Sequence, residues 1–202
     1  MRPHPDKAPL PFYSPRFENA FLDAHRCHGK HKRKGKEVAY LSHLMTVAAL
    51  VMEHGGNEDE VIAGLLHDIV EDCGGKPRVA EIEAEYGPAV AAIVVGCSDS
   101  DSEPKPPWRE RKEQYIAHVR TASPSIRLVS ACDKLANARD LRADYHRVGE
   151  ELWDRFNGGR DGTLWYYRSL VDAYRSHGET ALVAELHRTV EDLAELSGLP
   201  RR

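Results

Sequence analysis

Gly64-Leu65-Leu66-His67-Asp68-Ile69-Val70-Glu71-Asp72 is the stretch on which the fold and chemistry of this chain turn. At about 100° per residue, His67, Asp68, Glu71 and Asp72 gather on one side of a helix while Leu65, Leu66 and Ile69 face away. A short run of charges on a helix is ordinarily a solvated face. Here one imidazole and three carboxylates stand at the edge of an apolar stripe, and two other places supply matching groups.

The first is His43, near the start of the preceding helix in Tyr40-Leu41-Ser42-His43-Leu44. A lone histidine there is more often structural than a ligand. The second is Asp133, inside the otherwise apolar run Leu128-Val129-Ser130-Ala131-Cys132-Asp133-Lys134-Leu135. Burying an unpaired carboxylate is costly, so Asp133 needs a partner: Lys134, an arginine, or a metal ion. Together His43, His67, Asp68 and Asp133 make a closed ligand set drawn from three helices. Mixed imidazole and carboxylate donors suit Mn²⁺, Fe²⁺ or Zn²⁺ better than Mg²⁺ or Ca²⁺, which prefer oxygen alone. Glu71 and Asp72, one turn further on, are placed to orient or deprotonate a water, so the residues point to metal-assisted hydrolysis.

Outward from this stretch the periodicity is helical almost throughout, and the fold class is all-α. Phe17, Ala20, Phe21 and Ala24 mark a first helix ending near Gly29. A basic loop, His31-Lys32-Arg33-Lys34-Gly35-Lys36, separates it from a helix over Ser42–His54. One continuous helix is expected from about Asn57 to Gly74, with acidic residues in its first turn. Further helices are expected over 79–86, 88–95, 109–122, 126–141, 162–177 and 180–196. Residues 1–16 read as a flexible lead-in, and 98–108, with three prolines, as a surface loop.

Apolar residues make up 41% and charged residues 30% of the 202, an ordinary balance for a globular chain with a core of its own. The net charge of −4 argues against a general nucleic-acid binder, which works by neutralising phosphates. No signal peptide or membrane span is apparent, and Cys27, Cys73, Cys97 and Cys132 form no CxxC pair. The expectation is a cytoplasmic protein with four free thiols.

The order His43 … His67-Asp68 … Asp133 resembles the H…HD…D signature of the HD superfamily. Arg33-Lys34-Gly35, Ala39-Tyr40-Leu41-Ser42-His43, Leu65–Asp72 and Asp133-Lys134-Leu135-Ala136-Asn137-Ala138-Arg139-Asp140 resemble, more narrowly, the hydrolase domain of the RelA/SpoT homologues. The likeness runs from about Phe17 to Leu196. It implies an HD-domain helical bundle, one hydrolase domain over 17–202, and a stand-alone small alarmone hydrolase without synthetase or regulatory domains. It also implies one Mn²⁺ on the four signature residues and water activation by Glu71 and Asp72. Substrate contacts fall to Arg33, Lys34 and Asn137. The reaction implied is removal of the 3′-diphosphate from (p)ppGpp, releasing pyrophosphate and GDP or GTP. Two prolines usual in the family are replaced, by Ala39 and Leu44.

Arg33 and Lys34 fit a nucleotide on physical grounds too: a guanidinium stacks on a purine and forks onto phosphate, and an ammonium adds a compact charge. Lys30, Lys32 and Lys36 read as solvated. The cluster Trp108-Arg109-Glu110-Arg111-Lys112 reads as helix-surface charge, and Trp165-Tyr166-Tyr167 as core, with one tyrosine able to close a pocket. No residue type specifies guanine over adenine. Two alternatives stay open: another HD phosphohydrolase, such as a nucleoside monophosphate phosphatase or (p)ppApp hydrolase, and a non-catalytic alarmone sensor.

Overall fold

Caps carried by the sequence set most of the helix boundaries. The computed structural model describes residues 13–98 and 106–202, so the expected lead-in over 1–12 and most of the loop over 98–108 lie outside the described residues. Ser14 accepts from the Arg16 amide and Pro15 takes the first position of α1 (Pro15–His28), two residues into the stretch expected as lead-in. α2 spans Leu41–Glu53. Asn57 and Glu60 close a reciprocal capping box on α3 (Glu58–Leu66). Ser123 and Thr180 cap α8 (Pro124–Val148) and α10 (Ala181–Leu196) by accepting from the Ile126 and Val183 amides. The remaining helices are α4 (Ile69–Asp72), α5 (Lys76–Tyr86), α6 (Pro88–Cys97), α7 (Trp108–Val119) and α9 (Gly159–Arg175), with a 3-10 helix over Gly149–Arg155.

The expected continuous helix over 57–74 is broken. α3 ends at Leu66 and α4 restarts at Ile69, with Asp68 at φ −97° and ψ −3° between them. The break turns the Asp68 carboxylate back toward His67 instead of leaving it a helical step away. Asp68 is tied there by a 2.6 Å bond from the Tyr40 hydroxyl.

α8 is the axis of the molecule. Val129, Ser130, Ala131, Cys132 and Asp133 are all buried in succession, which requires neighbours on every side of the helix. Those neighbours are α2, α3, α6, α9 and α10. Gly64 sets the approach of α3 to α2: a Cβ there would stand 3.3 Å from the Ala48 Cα and 3.4 Å from a Val51 methyl carbon. α9 and α10 are joined by a buried fork, Arg168 to Glu191 at 2.9 and 2.8 Å. Among the described residues, no helix is long and apolar enough to cross a membrane.

The expectation of four free thiols fails for one pair. A disulfide joins Cys27 to Cys73, whose Cα atoms lie 6.0 Å apart across 46 residues of sequence, because the end of α1 packs beside the end of α4. Cys97 and Cys132 are free and buried.

Candidate active site

His43 projects from the first turn of α2, His67 and Asp68 from the α3–α4 break, and Asp133 from the middle of α8. Donor atoms of His43, His67 and Asp133 all lie within 4.8 Å of one another. The Asp133 Oδ1 is 3.1 Å from the His43 Nε2 and 3.6 Å from the His67 Nε2. The Asp68 Oδ2 is 3.0 Å from the His67 Nε2 and 3.8 Å from the His43 Nε2. Two donors at about 2.1 Å from one ion stand about 3.0–3.4 Å apart for octahedral or tetrahedral angles, so His43, His67 and Asp133 could hold a shared cation, while Asp68 stands beside His67 but outside that group of three.

The orientation of His67 supports the same fit. Its Nδ1 lies 2.9 Å from the Gly64 carbonyl, which fixes the proton on Nδ1 and turns the Nε2 lone pair inward. That Nε2 is buried and makes no hydrogen bond of good geometry, a state a metal ion would relieve.

Electrostatics separates the two histidines. Burial lowers the pKa of His43 below the usual imidazole value, with Asp133 opposing. Burial would lower His67 as well, but the Asp68 and Asp133 carboxylates raise it well above the usual value, so a cation and a proton compete for the same Nε2. Burial disfavours the charge on Asp133, yet Lys134, His43 and His67 hold its carboxyl well below the ordinary range. Asp133 uses both of its expected kinds of partner. Oδ2 accepts from the Lys134 Nζ at 2.6 Å, while Oδ1 faces the histidines and accepts from the Asn137 amide at 2.5 Å.

A cavity of 410 Å³ opens beside this group, a size suited to a small organic ligand. Its inner lining includes Tyr40, Lys134 and Asn137, each bonded directly to Asp68 or Asp133. Arg33 lines it too, forking onto Asp140 at 3.2 and 2.9 Å and reaching the Asn137 Oδ1 at 2.7 Å. The Lys34 ammonium stands 5.4 Å from the Phe156 ring centre. The basic loop is closed by the bridge between Lys32 and Ala39, with the Arg33 amide donating to the Val38 carbonyl at 2.8 Å.

Glu71 and Asp72 are exposed on α4. The Asp72 Oδ2 lies 3.8 Å from the His28 Nδ1. Burial pushes His28 down to about 4, so its imidazole is neutral at ordinary pH. Its ring stacks on Tyr40 at 5.0 Å, linking α1 to the hydroxyl that holds Asp68.

Several contributors escaped the sequence reading. Lys36, expected in solvent, has a side chain only 12% exposed, lines the cavity and pairs with Asp140 at 3.2 Å and Asp144 at 3.0 Å. The second basic cluster is not mere surface charge, since Trp108, Arg111 and Lys112 line the cavity. The Trp108 indole fills space left by Gly158, where a Cβ would come within 2.6 Å of the ring. Tyr166 and Tyr167 are buried, as expected, and also form cavity wall. Tyr40 was visible only as part of a motif. Lys30 and Lys32 are exposed as expected, Lys32 pairing with Glu37.

Comparison with known proteins gives one consistent result. The HD domain family matches residues 20–164. The guanosine-3′,5′-bis(diphosphate) 3′-pyrophosphohydrolase MESH1 of Mus musculus is 36% identical over 142 residues, covering 66% of this chain and 76% of that protein. The Danio rerio protein of the same name is 39% identical over 129 residues, 62% of this chain and 67% of the relative. A solved structure described as a metazoan ortholog of SpoT that hydrolyzes ppGpp superposes with a TM-score of 0.73 at 25% identity, over 94% of this chain and 99% of that one. A protein from Listeria monocytogenes EGD-e superposes with a TM-score of 0.67 at 28% identity, over 76% of this chain and 99% of that one.

Proposed function

Because the chain belongs to the HD-domain family, we propose that it is a metal-dependent guanosine-3′,5′-bis(diphosphate) 3′-pyrophosphohydrolase that removes the 3′-diphosphate of (p)ppGpp-type alarmones. The observation that carries this reading is the contact between the two parts of the site. Tyr40, Lys134 and Asn137 line a cation-rich cavity and at the same time hold the carboxylates of Asp68 and Asp133. A nucleotide seated in that cavity presents a phosphorus to the ligand group.

In this reading residues 17–202 act as one hydrolase domain, and His43, His67, Asp68 and Asp133 hold one Mn²⁺. When bound, such an ion makes a water more acidic and neutralises charge on a phosphoryl oxygen. Arg33 and Lys34 hold the nucleotide so that its 3′-diphosphate reaches the quartet, and Asn137 keeps Arg33 in register with Asp133. Glu71 and Asp72, exposed on α4 just after Asp68, take the proton of the attacking water. The water oxygen bonds to the phosphorus next to the 3′ oxygen, and the bond between that phosphorus and the 3′ oxygen breaks. The 3′ oxygen leaves with a proton as the hydroxyl of GDP or GTP, and pyrophosphate departs. A cytoplasmic setting fits a small nucleotide substrate.

The test is turnover of ppGpp, ppApp and GMP by purified protein with Mn²⁺, with products resolved by ion-exchange chromatography. Pyrophosphate and GDP from ppGpp are the expected products, with the 5′-diphosphate intact. Inorganic phosphate as the sole initial product would sink the reading in favour of a phosphatase. Binding of ppGpp without turnover would do so in favour of a sensor.

A further inference from the structure

We propose a second divalent transition-metal site, separate from the buried quartet, formed by His28, His31 and Asp72 at the mouth between α1 and α4. The assignment stands on geometry and does not depend on the reaction proposed above. One donor atom from each residue lies within 4.8 Å of the other two. The Nδ1 atoms of His28 and His31 are 3.2 Å apart, and the Asp72 Oδ2 is 3.8 Å from the His28 Nδ1. The first separation falls inside the span of about 3.0–3.4 Å for two donors on one ion, and the second needs only a small turn of an exposed carboxylate.

The donor set selects the class of ion. Two imidazoles and a carboxylate make the three-ligand arrangement that zinc and its neighbours accept with further positions left to water. Mg²⁺ and Ca²⁺, which want oxygens, are poor occupants. His28 is fully buried and its Nε2 has no hydrogen-bond partner among the described residues. Its one interacting nitrogen therefore faces His31 and Asp72, both exposed, so an ion has a path from solvent.

One covalent link and one hydrogen bond preorganise the site. Cys27 and Cys73 are the chain neighbours of His28 and Asp72, and the disulfide between them ties the α1 ligand to the α4 ligand. His31 follows three residues after His28, and its amide bonds the His28 carbonyl at 2.9 Å, which folds the two rings together in an edge-on pair at 5.2 Å. An ion held here is linked to the quartet through Tyr40, because His28 stacks on the Tyr40 ring and Tyr40 bonds Asp68.

The experiment is a Zn²⁺ titration of the full chain by equilibrium dialysis with elemental analysis, together with His31→Ala, His67→Ala and the double variant. His31 is exposed, so His31→Ala should keep the wild-type helical circular dichroism. Two equivalents are expected for the wild type, one for each single variant and none for the double. The second equivalent should weaken at least about tenfold in His31→Ala. A single wild-type equivalent, retained by His31→Ala and lost by His67→Ala, overturns the site. So does a second equivalent that survives His31→Ala but disappears in Cys27→Ser, since that would mark a thiolate site instead.

Discussion

Behind Tyr40, Lys134 and Asn137 of the cavity lining stand His43, His67, Asp68 and Asp133, from α2, the α3–α4 break and α8, each within 3.6 Å of a polar group on another part of the chain. On the other side, Arg33, Lys34 and Lys36 come from a loop, and Arg111 and Lys112 from α7. The first wall is held by packed helices around a central α8. The second is held by charge: Arg33 and Lys36 both rest on Asp140, and Lys36 also reaches Asp144. The difference suits two tasks. Ligand atoms for an ion must be fixed within a few tenths of an ångström, whereas groups that receive a flexible polyphosphate must exchange an internal carboxylate for an external phosphate.

The harshest way to break the comparison is to delete a ligand from the rigid wall. His67→Ala should abolish turnover and bound Mn²⁺ while leaving a helical fold, because the close approach of α3 to α2 is made by Gly64 against Ala48 and Val51 and not by the His67 ring. Asp133→Ala should cost more in stability than His67→Ala. It strands the Lys134 ammonium, whose side chain is only 15% exposed, and breaking a buried pair typically costs about 3–5 kcal/mol. Elemental analysis and thermal melting check both; full Mn²⁺ occupancy in either variant would remove that residue from the ligand set.

Glu71→Gln tests whether chemistry, as distinct from ion binding, sits at the solvent edge of the rigid wall. The expected effect is a fall in kcat of about 10²–10⁴ with Mn²⁺ content unchanged, the usual worth of a general base. An unaltered kcat would move proton transfer to another group. Smaller again should be Tyr40→Phe, which removes only the hydroxyl that holds Asp68. Loss of such a supporting bond to a ligand typically weakens metal affinity or activity about 10- to 100-fold. A Mn²⁺ titration that matches wild type would show that the break at Asp68 is held by its backbone alone.

The rigid wall was also the legible one. His43, His67, Asp68 and Asp133 are chemically conspicuous against apolar helices, so their pattern survives in one dimension. The helix break was not legible, since Ile69 and Val70 continue the apolar periodicity and only the bond from Tyr40 to Asp68 shows why the chain turns there. The polar wall was read in part. Arg33 and Lys34 stood out through a family motif, but Lys36 and Lys32 are alike in sequence and opposite in environment. Trp108, Arg111 and Lys112 reach the cavity only because α7 packs on α9, a contact that spacing cannot reveal. The Cys27–Cys73 pair was hidden for the same reason.

The mildest perturbation falls on the polar wall and shows what its charge is for. Arg33→Ala removes a fork onto Asp140 and a bond to Asn137, yet Asp140 keeps Lys36 at 3.2 Å, so no charge is stranded. If Arg33 serves binding in ground and transition states alike, KM for ppGpp should rise about tenfold with kcat little changed, the worth of one charged hydrogen bond. A fall in kcat with KM unchanged would instead place Arg33 in transition-state stabilisation. Stability supplies an independent check through pH. Burial raises Asp140, but the bond and charge of Arg33, with Lys36, outweigh it and set its carboxyl below the ordinary value. A depressed carboxyl contributes stability above its unfolded value, about 4, and loses that contribution as pH falls through the lower folded value. The melting-temperature gap between wild type and Arg33→Ala should therefore be greatest near neutrality and close in acid. Asp140 is 40% exposed on its side chain, so the gap should be small at any pH and shrink further in high salt. A gap that stayed constant into acid would show that Arg33 is held by packing against the Tyr40 ring, 5.5 Å from its guanidinium, and not by Asp140.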